Sequence, residues 1–246
     1  PMVLLLVIGP LLLPEYKAPN AGRIDLASAL LSLCAVLGLI YGVKRWAEAG
    51  LGLEALAAMA AGAALVLVFI RRQARLPDPM VDLAMFKIPA FSAALAINLA
   101  GILFMFGSFI FLAQYFQLVA GLSPLQAGLW SLPSAIAFTA ASFVTPALVG
   151  RFRPATLMVG GMALSAGGFV WLALAPDLIQ IVAASVVFSI GFTPVITLTT
   201  GIVVGSAPPE RTGTASAMSE TGAELGGALG VAVLGSLGAA LYRAGM

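Results

Sequence analysis

Long apolar runs follow one another from end to end of the chain, broken only by short stretches rich in proline, glycine and charge. Runs of about 20 apolar residues have the length of a membrane-crossing helix. Strands of a membrane barrel would instead alternate residue by residue, so the pattern predicts helices. Full spans are expected at residues 26–44, 53–70, 90–119, 125–149, 157–174, 178–204 and 211–242. Residues 1–13 are apolar too, but about 13 residues are too few to cross. The expected architecture is an all-α polytopic membrane protein with seven full spans and one partial span.

The connectors carry their own signals. PEYKAPNAGRID, residues 14–25, is a loop by composition, with Asp25 placed to cap the helix that follows. Residues 71–90, RRQARLPDPMVDLAMFKIPA, form the most charged connector. They are expected to lie partly along the membrane surface, with Met80, Leu83, Met85 and Phe86 as the apolar side. Pro133 and Pro146 fall inside one span and Pro194 inside another, where proline is tolerated and usually kinks the helix. Alternating the connectors between two sides puts Lys17, Arg23, Arg71, Arg72, Arg75, Lys87, Arg151, Arg153 and Arg211 on one side. Only Lys44, Arg45 and Arg243 fall on the other. The basic excess marks the first side as cytoplasmic, and a span missed or invented would have mixed the two.

Composition sharpens this picture. Charged residues make up 9% of the chain and hydrophobic ones 61%, whereas ordinary globular domains carry about 25% charged residues. A net charge of +2 gives no reason to expect a nucleic-acid partner. The chain has no histidine, which excludes a histidine proton relay and argues against a transition-metal site; no metal and no cofactor is expected. Cys34 is the only cysteine and reads as packing. Residues 1–13 lack a basic leader and a small-residue cleavage site, so they read as the tail of a helix begun upstream, and the chain as a fragment.

Candidate chemistry concentrates in the last span. Glu220 and Glu224 lie one turn apart on one face of an otherwise apolar helix. Gly222, Gly226 and Gly230 repeat the same spacing two positions out of phase, which rotates them to the opposite face. One side therefore suits close helix contact, and the other presents acid. Proton antiport needs a group that is charged at one stage and neutral at another, and an ionisable residue in a membrane span is a functional candidate by default. The competing reading is a structural pair, bonded to an arginine elsewhere or reaching the cytoplasmic interface. Counting from Arg211 at about 1.5 Å per residue, Glu220 is shallow and Glu224 lies a third to half of the way across. Asn98, Gln114 and Gln117 are candidates to line a translocation path, or to bond between helices. Trp130, Phe138 and Phe192 are candidates to stack on a lipophilic cation, or to pack.

Three stretches carry a resemblance: PNAGRIDLAS, AQYFQLVAGLSPLQAGLWSLPSAIA and ASAMSETGAELGGALGVAVLGSL. Together they resemble the fourteen-helix drug:proton antiporters of the major facilitator superfamily, the QacA-like and EmrB-like branch. The resemblance implies that residues 1–13 end helix six. It makes 14–89 two linker helices and a cytoplasmic loop, and 90–246 a C-terminal bundle lacking its last helix. It further implies proton-coupled export of hydrophobic, often cationic, compounds by alternating access, in the bacterial inner membrane. Glu224 and Glu220 would couple protons and cations, and the partners would be the N-terminal half, lipophilic small molecules, protons and the bilayer. This chain departs from QacA-like exporters of divalent cations in lacking an acid near Ala137 or Phe138. Two other outcomes stay open: export of an endogenous metabolite or antibiotic, and a non-transporting membrane scaffold. An intramembrane enzyme would need paired acids on different helices or a metal cluster, which the pattern does not offer.

Overall fold

A computed structural model describes residues 25–50, 52–77 and 79–244. The expected partial span at 1–13 and most of the connector after it lie outside the described residues. Seven long helices account for nearly everything else. They are α1 (Leu26–Ala49), α2 (Leu53–Gln73), α3 (Pro89–Gln114), α4 (Pro124–Val149), α5 (Pro154–Leu174), α6 (Leu178–Gly205) and α7 (Thr212–Ala244). Six of them, α1 to α6, are long and apolar enough to cross a membrane. The seventh, α7, has 33 residues, ample length for crossing, and is diluted in apolarity by its glycines and two acids.

Local chemistry sets the helix ends. Asp25 caps α1, its carboxylate accepting from the Ser28 amide at 3.1 Å. Ser123 and Gln126 form a reciprocal capping box at the start of α4, just after Gly121 turns the chain at φ 65°. Asp177 caps α6 by accepting from the Gln180 amide at 2.8 Å. Proline opens α3, α4 and α5, where its lost N–H costs nothing. Beyond Gln114, α3 runs on through one π-helical turn, Tyr115–Val119, closed by the Ala120 amide on the Tyr115 carbonyl at 2.9 Å.

The packing centres on α6. More than half of its span, 56%, is buried, against 11% for α4. Helices α3, α4, α5 and α7 all pack on it, and α1 and α2 pair with each other while α1 also reaches α7. Helices α5 and α6 approach backbone to backbone. A Cβ on Gly191 would stand 2.6 Å from the Gly161 carbonyl oxygen, and one on Gly168 would stand 2.6 Å from the Phe188 nitrogen. Gly160 and Gly167, one residue away on the same helix, have nothing near them. Ser165 closes the same contact by donating to the Phe188 carbonyl at 3.0 Å.

The connector ahead of α3 differs from expectation. Met85 does not lie on the membrane surface; it is 2% exposed and packs with Phe91, Ala94, Val203 and Ala215. Its carrier is a short 3₁₀ turn, Leu83–Lys87, capped by Asp82, which points every third side chain the same way and so turns Met85 inward. Phe86 does remain exposed and meets Phe91 edge-on at 5.8 Å. Helix ends that the charge count assigns to one side come together here. Arg72 pairs with Asp25 at 3.0 Å, Gln73 donates to Ser28 at 2.8 Å and accepts from the Val81 amide at 3.1 Å, and Arg211 reaches Asp82 at 3.8 Å.

Candidate functional site: the two faces of the last helix

Helix α7 lies alongside α3 in one constant register. A Cβ added to Gly222 would touch Leu95 at 3.4 Å, and one on Gly226 would stand 2.6 Å from the Leu99 carbonyl oxygen. One turn on, Gly230 sits against the Leu103 backbone. The next pair reverses roles: Gly107 of α3 makes room for Leu234 of α7. Gly238 then faces the Phe111 ring. Every pair advances by four residues on both helices at once, so the two helices run parallel and stay in contact for about five turns. The side without side chains is what permits this: without Cβ atoms, backbones approach and gain van der Waals contact that lipid cannot supply.

The opposite side of α7 carries the acids. Glu220 and Glu224 are exposed, and among the described residues neither forms a hydrogen bond or an ion pair. Ser219, next to Glu220, is 4% exposed, and Gly226 and Gly227, two and three residues after Glu224, are buried. The helix therefore changes from packed to open within one or two positions along the chain. An acid pair on an open face of a membrane helix is chemically able to take up protons, to attract a cation, or to meet a cationic group of another segment.

The remaining candidates fall into separate places. Asn98 is 2% exposed and bridges α3 to α6, donating to Thr199 Oγ1 at 2.9 Å and to Thr200 Oγ1 at 3.3 Å. Its own Oδ1 is buried without a hydrogen-bond partner among the described residues. Gln114 and Gln117 are exposed, beside and within the π-helical turn, and Gln117 donates to the Ala113 carbonyl at 3.3 Å. Trp130 is exposed on α4. Phe138 is half-buried, and its carbonyl accepts from Thr193 of α6 at 3.5 Å. Phe192 is half-buried and stacks edge-on with Phe188 at 5.1 Å, which in turn meets Phe169 at 4.5 Å and Phe109 at 6.0 Å. No hydrogen bond or ring contact among the described residues joins these side chains to the acid pair.

Sequence reasoning missed the hub of that aromatic group, Phe188, which ties α3, α5 and α6 together. The available signal was its position one turn before Phe192 on the same face. Near this group opens a cavity of about 590 Å³, lined among others by Ser108, Phe111, Tyr115, Phe169 and Ile181. Neither glutamate lines it.

Comparison with known proteins agrees with this architecture. Residues 2–231 match the family model of the Major Facilitator Superfamily. The chain is 39% identical over 242 residues to the multidrug efflux pump LfrA of Mycolicibacterium smegmatis, covering 97% of this chain and 48% of that protein. It is 31% identical over 243 residues to the methyl viologen resistance protein SmvA of Salmonella typhimurium, covering 96% of this chain and 49% of that one. With the drug efflux pump JefA of Mycobacterium tuberculosis it shares 29% identity over 237 residues, 94% of this chain and 46% of the relative. The chain thus spans about half the length of the curated relatives it matches. Six membrane-capable helices and these relatives place it as a multi-pass protein of the inner membrane. With its family model matched along most of its length, the chain belongs to the Major Facilitator Superfamily.

Proposed function

We propose that this chain supplies one of the two helix bundles of a proton-coupled drug exporter of the fourteen-helix branch. In this reading α1 and α2 are the two linker helices, and α3 to α7 belong to the C-terminal bundle that rocks against an N-terminal half. The observation that carries the proposal is the division of α7 into a glycine side locked on α3 and an acid side left open. An open acid face is what a bundle needs where it borders a central path. The names of the relatives, multidrug efflux, methyl viologen resistance and drug efflux, support drugs as the substrate class, and the family resemblance narrows these to hydrophobic, often cationic, compounds.

The coupling follows from charge. A lipophilic cation arriving from the cytoplasm is attracted to ionised Glu224, and a proton arriving from outside neutralises the carboxylate and releases the cargo. Glu220, one turn nearer the cytoplasm, serves as an entrance charge. The full-length protein in inverted vesicles should remove ethidium from the medium when a proton gradient is imposed, and a protonophore should abolish that movement. Ethidium movement that survives complete collapse of the gradient would reject proton coupling. Export of an endogenous metabolite by the same machinery is the alternative outcome, recognised by gradient-driven transport that ethidium neither joins nor competes with.

A further inference from the structure

The cytoplasmic end of α2 holds a feature that drug export does not use. Arg71, Arg72 and Arg75, with Val68 and Leu76, line a cavity of about 490 Å³. Among the described residues, only one of the three arginine side chains is engaged. Arg72 gives Nη2 to both oxygens of Asp25, at 3.0 and 3.1 Å, and Nε to Ser28 Oγ at 3.0 Å. With that carboxylate ionised well below neutrality, pulled down to about 2 by the Ser28 hydroxyl and by Arg72, the pair is fixed across the working range of pH. The side chains of Arg71 and Arg75 are exposed and form no ion pair or hydrogen bond among the described residues, and no described carboxylate lines the cavity. The amide of Arg75 bonds the Arg72 carbonyl at 3.0 Å in a tightened turn just past the end of α2, which keeps Arg75 close to the last helical turn that carries Arg71.

Depth decides what meets them. The part of α2 that precedes the arginines, residues 53–70, is about 27 Å long at 1.5 Å per residue, close to a hydrocarbon core of about 30 Å. The arginines therefore stand at the level of the lipid phosphates, while Val68, 51% exposed, faces the acyl chains below them. The positive-inside count puts this end at the cytoplasmic leaflet. The negative end of the α2 dipole, about half a charge, opposes an anion here but leaves two guanidinium charges in clear excess.

We propose that this cavity is a binding site for the phosphate headgroup of an anionic phospholipid of the cytoplasmic leaflet. Arg71 and Arg75 grip the phosphate oxygens, Arg72 is held back by Asp25 as the wall of the site, and Val68 and Leu76 receive the start of an acyl chain. Guanidinium forks suit phosphate oxygens through paired N–H donors, and the apolar wall selects lipid over free phosphate.

Native mass spectrometry of the full-length protein, released from nanodiscs of mixed phosphatidylglycerol and phosphatidylcholine, tests this. Retained phosphatidylglycerol should exceed phosphatidylcholine, and the double variant R71Q/R75Q should bind it about twenty-five-fold more weakly, at about five-fold per basic residue. Inorganic phosphate at millimolar concentration should not displace it. Equal retention of both lipids, an unchanged R71Q/R75Q, or displacement by inorganic phosphate would each overturn the proposal. If R71Q/R75Q does not fold, a photoreactive phosphatidylglycerol on the wild-type protein decides. Labelling within residues 68–76 supports the site, and labelling confined to other segments overturns it.

Discussion

The two sides of α7 use the same four-residue spacing for opposite purposes. Gly222, Gly226 and Gly230 remove side chains so that α3 can come close, whereas Glu220 and Glu224 carry the only charges in the middle of the helix, are exposed, and form no hydrogen bond or ion pair among the described residues. On the first side, everything that matters is a distance of a few ångströms to a neighbouring backbone. On the second, what matters is a charge and its access to protons and cations. One helix can thus be held rigidly in a bundle and still present chemistry, because its two faces are independent at the level of side-chain volume.

Breaking the packed face should have the larger consequence. Gly226→Leu would drive a branched side chain into the Leu99 carbonyl and Ile102, and overpacking of this kind costs about 1–3 kcal/mol or more. We expect a lower melting temperature, a poor yield of monodisperse protein and no transport, all read together by size-exclusion melting and vesicle assay. A normal melting curve would mean that the α3–α7 register is not as described. Gly235→Ala, where nothing lies within 4 Å, should change neither quantity.

Changes on the open face should separate the two acids. Glu220→Gln is expected to leave stability alone and to shift the pH dependence of efflux, or the ranking of substrates, by several-fold. A loss of efflux as complete as any variant at Glu224 would give the two carboxylates equal parts and remove the depth argument that distinguishes them. Smallest of all should be Asn98→Ala, which deletes an inter-helix hydrogen bond worth about 0.6 kcal/mol on average and at most about 1.7. A melting temperature lowered by a degree or two, with efflux retained, is the expected result. Efflux lost at normal stability would instead make Asn98 part of the path.

The helices were legible in the sequence because membrane spans announce themselves locally, through run length and breaker residues. All seven were placed, and Asp25 was expected at the cap it occupies. The two phases on α7 were equally readable, since Glu220–Glu224 and Gly222–Gly226 are fixed by helical geometry alone. What escaped were pairings between distant residues. Nothing local to Gly226 names Leu99, and nothing local to Gly160 and Gly161 says which of them faces α6. Met85 was misplaced for a related reason: an apolar residue in a charged connector fits a membrane surface or a core equally well, and only the turn at Asp82 decides. Gln73 was overlooked because a glutamine at a helix end looks solvated until Ser28 and Val81 are seen to enclose it.

The central claim is that the open face of α7 handles charge during transport while the other face holds the fold. Glu224→Gln tests it most directly, since the substitution keeps size and hydrogen-bonding capacity and fixes the neutral state. Ethidium efflux from energised vesicles should be abolished at matched expression, with the melting temperature of the purified full-length variant unchanged. Wild-type efflux from well-expressed Glu224→Gln would contradict the account and reduce Glu224 to a polar group without a part in coupling.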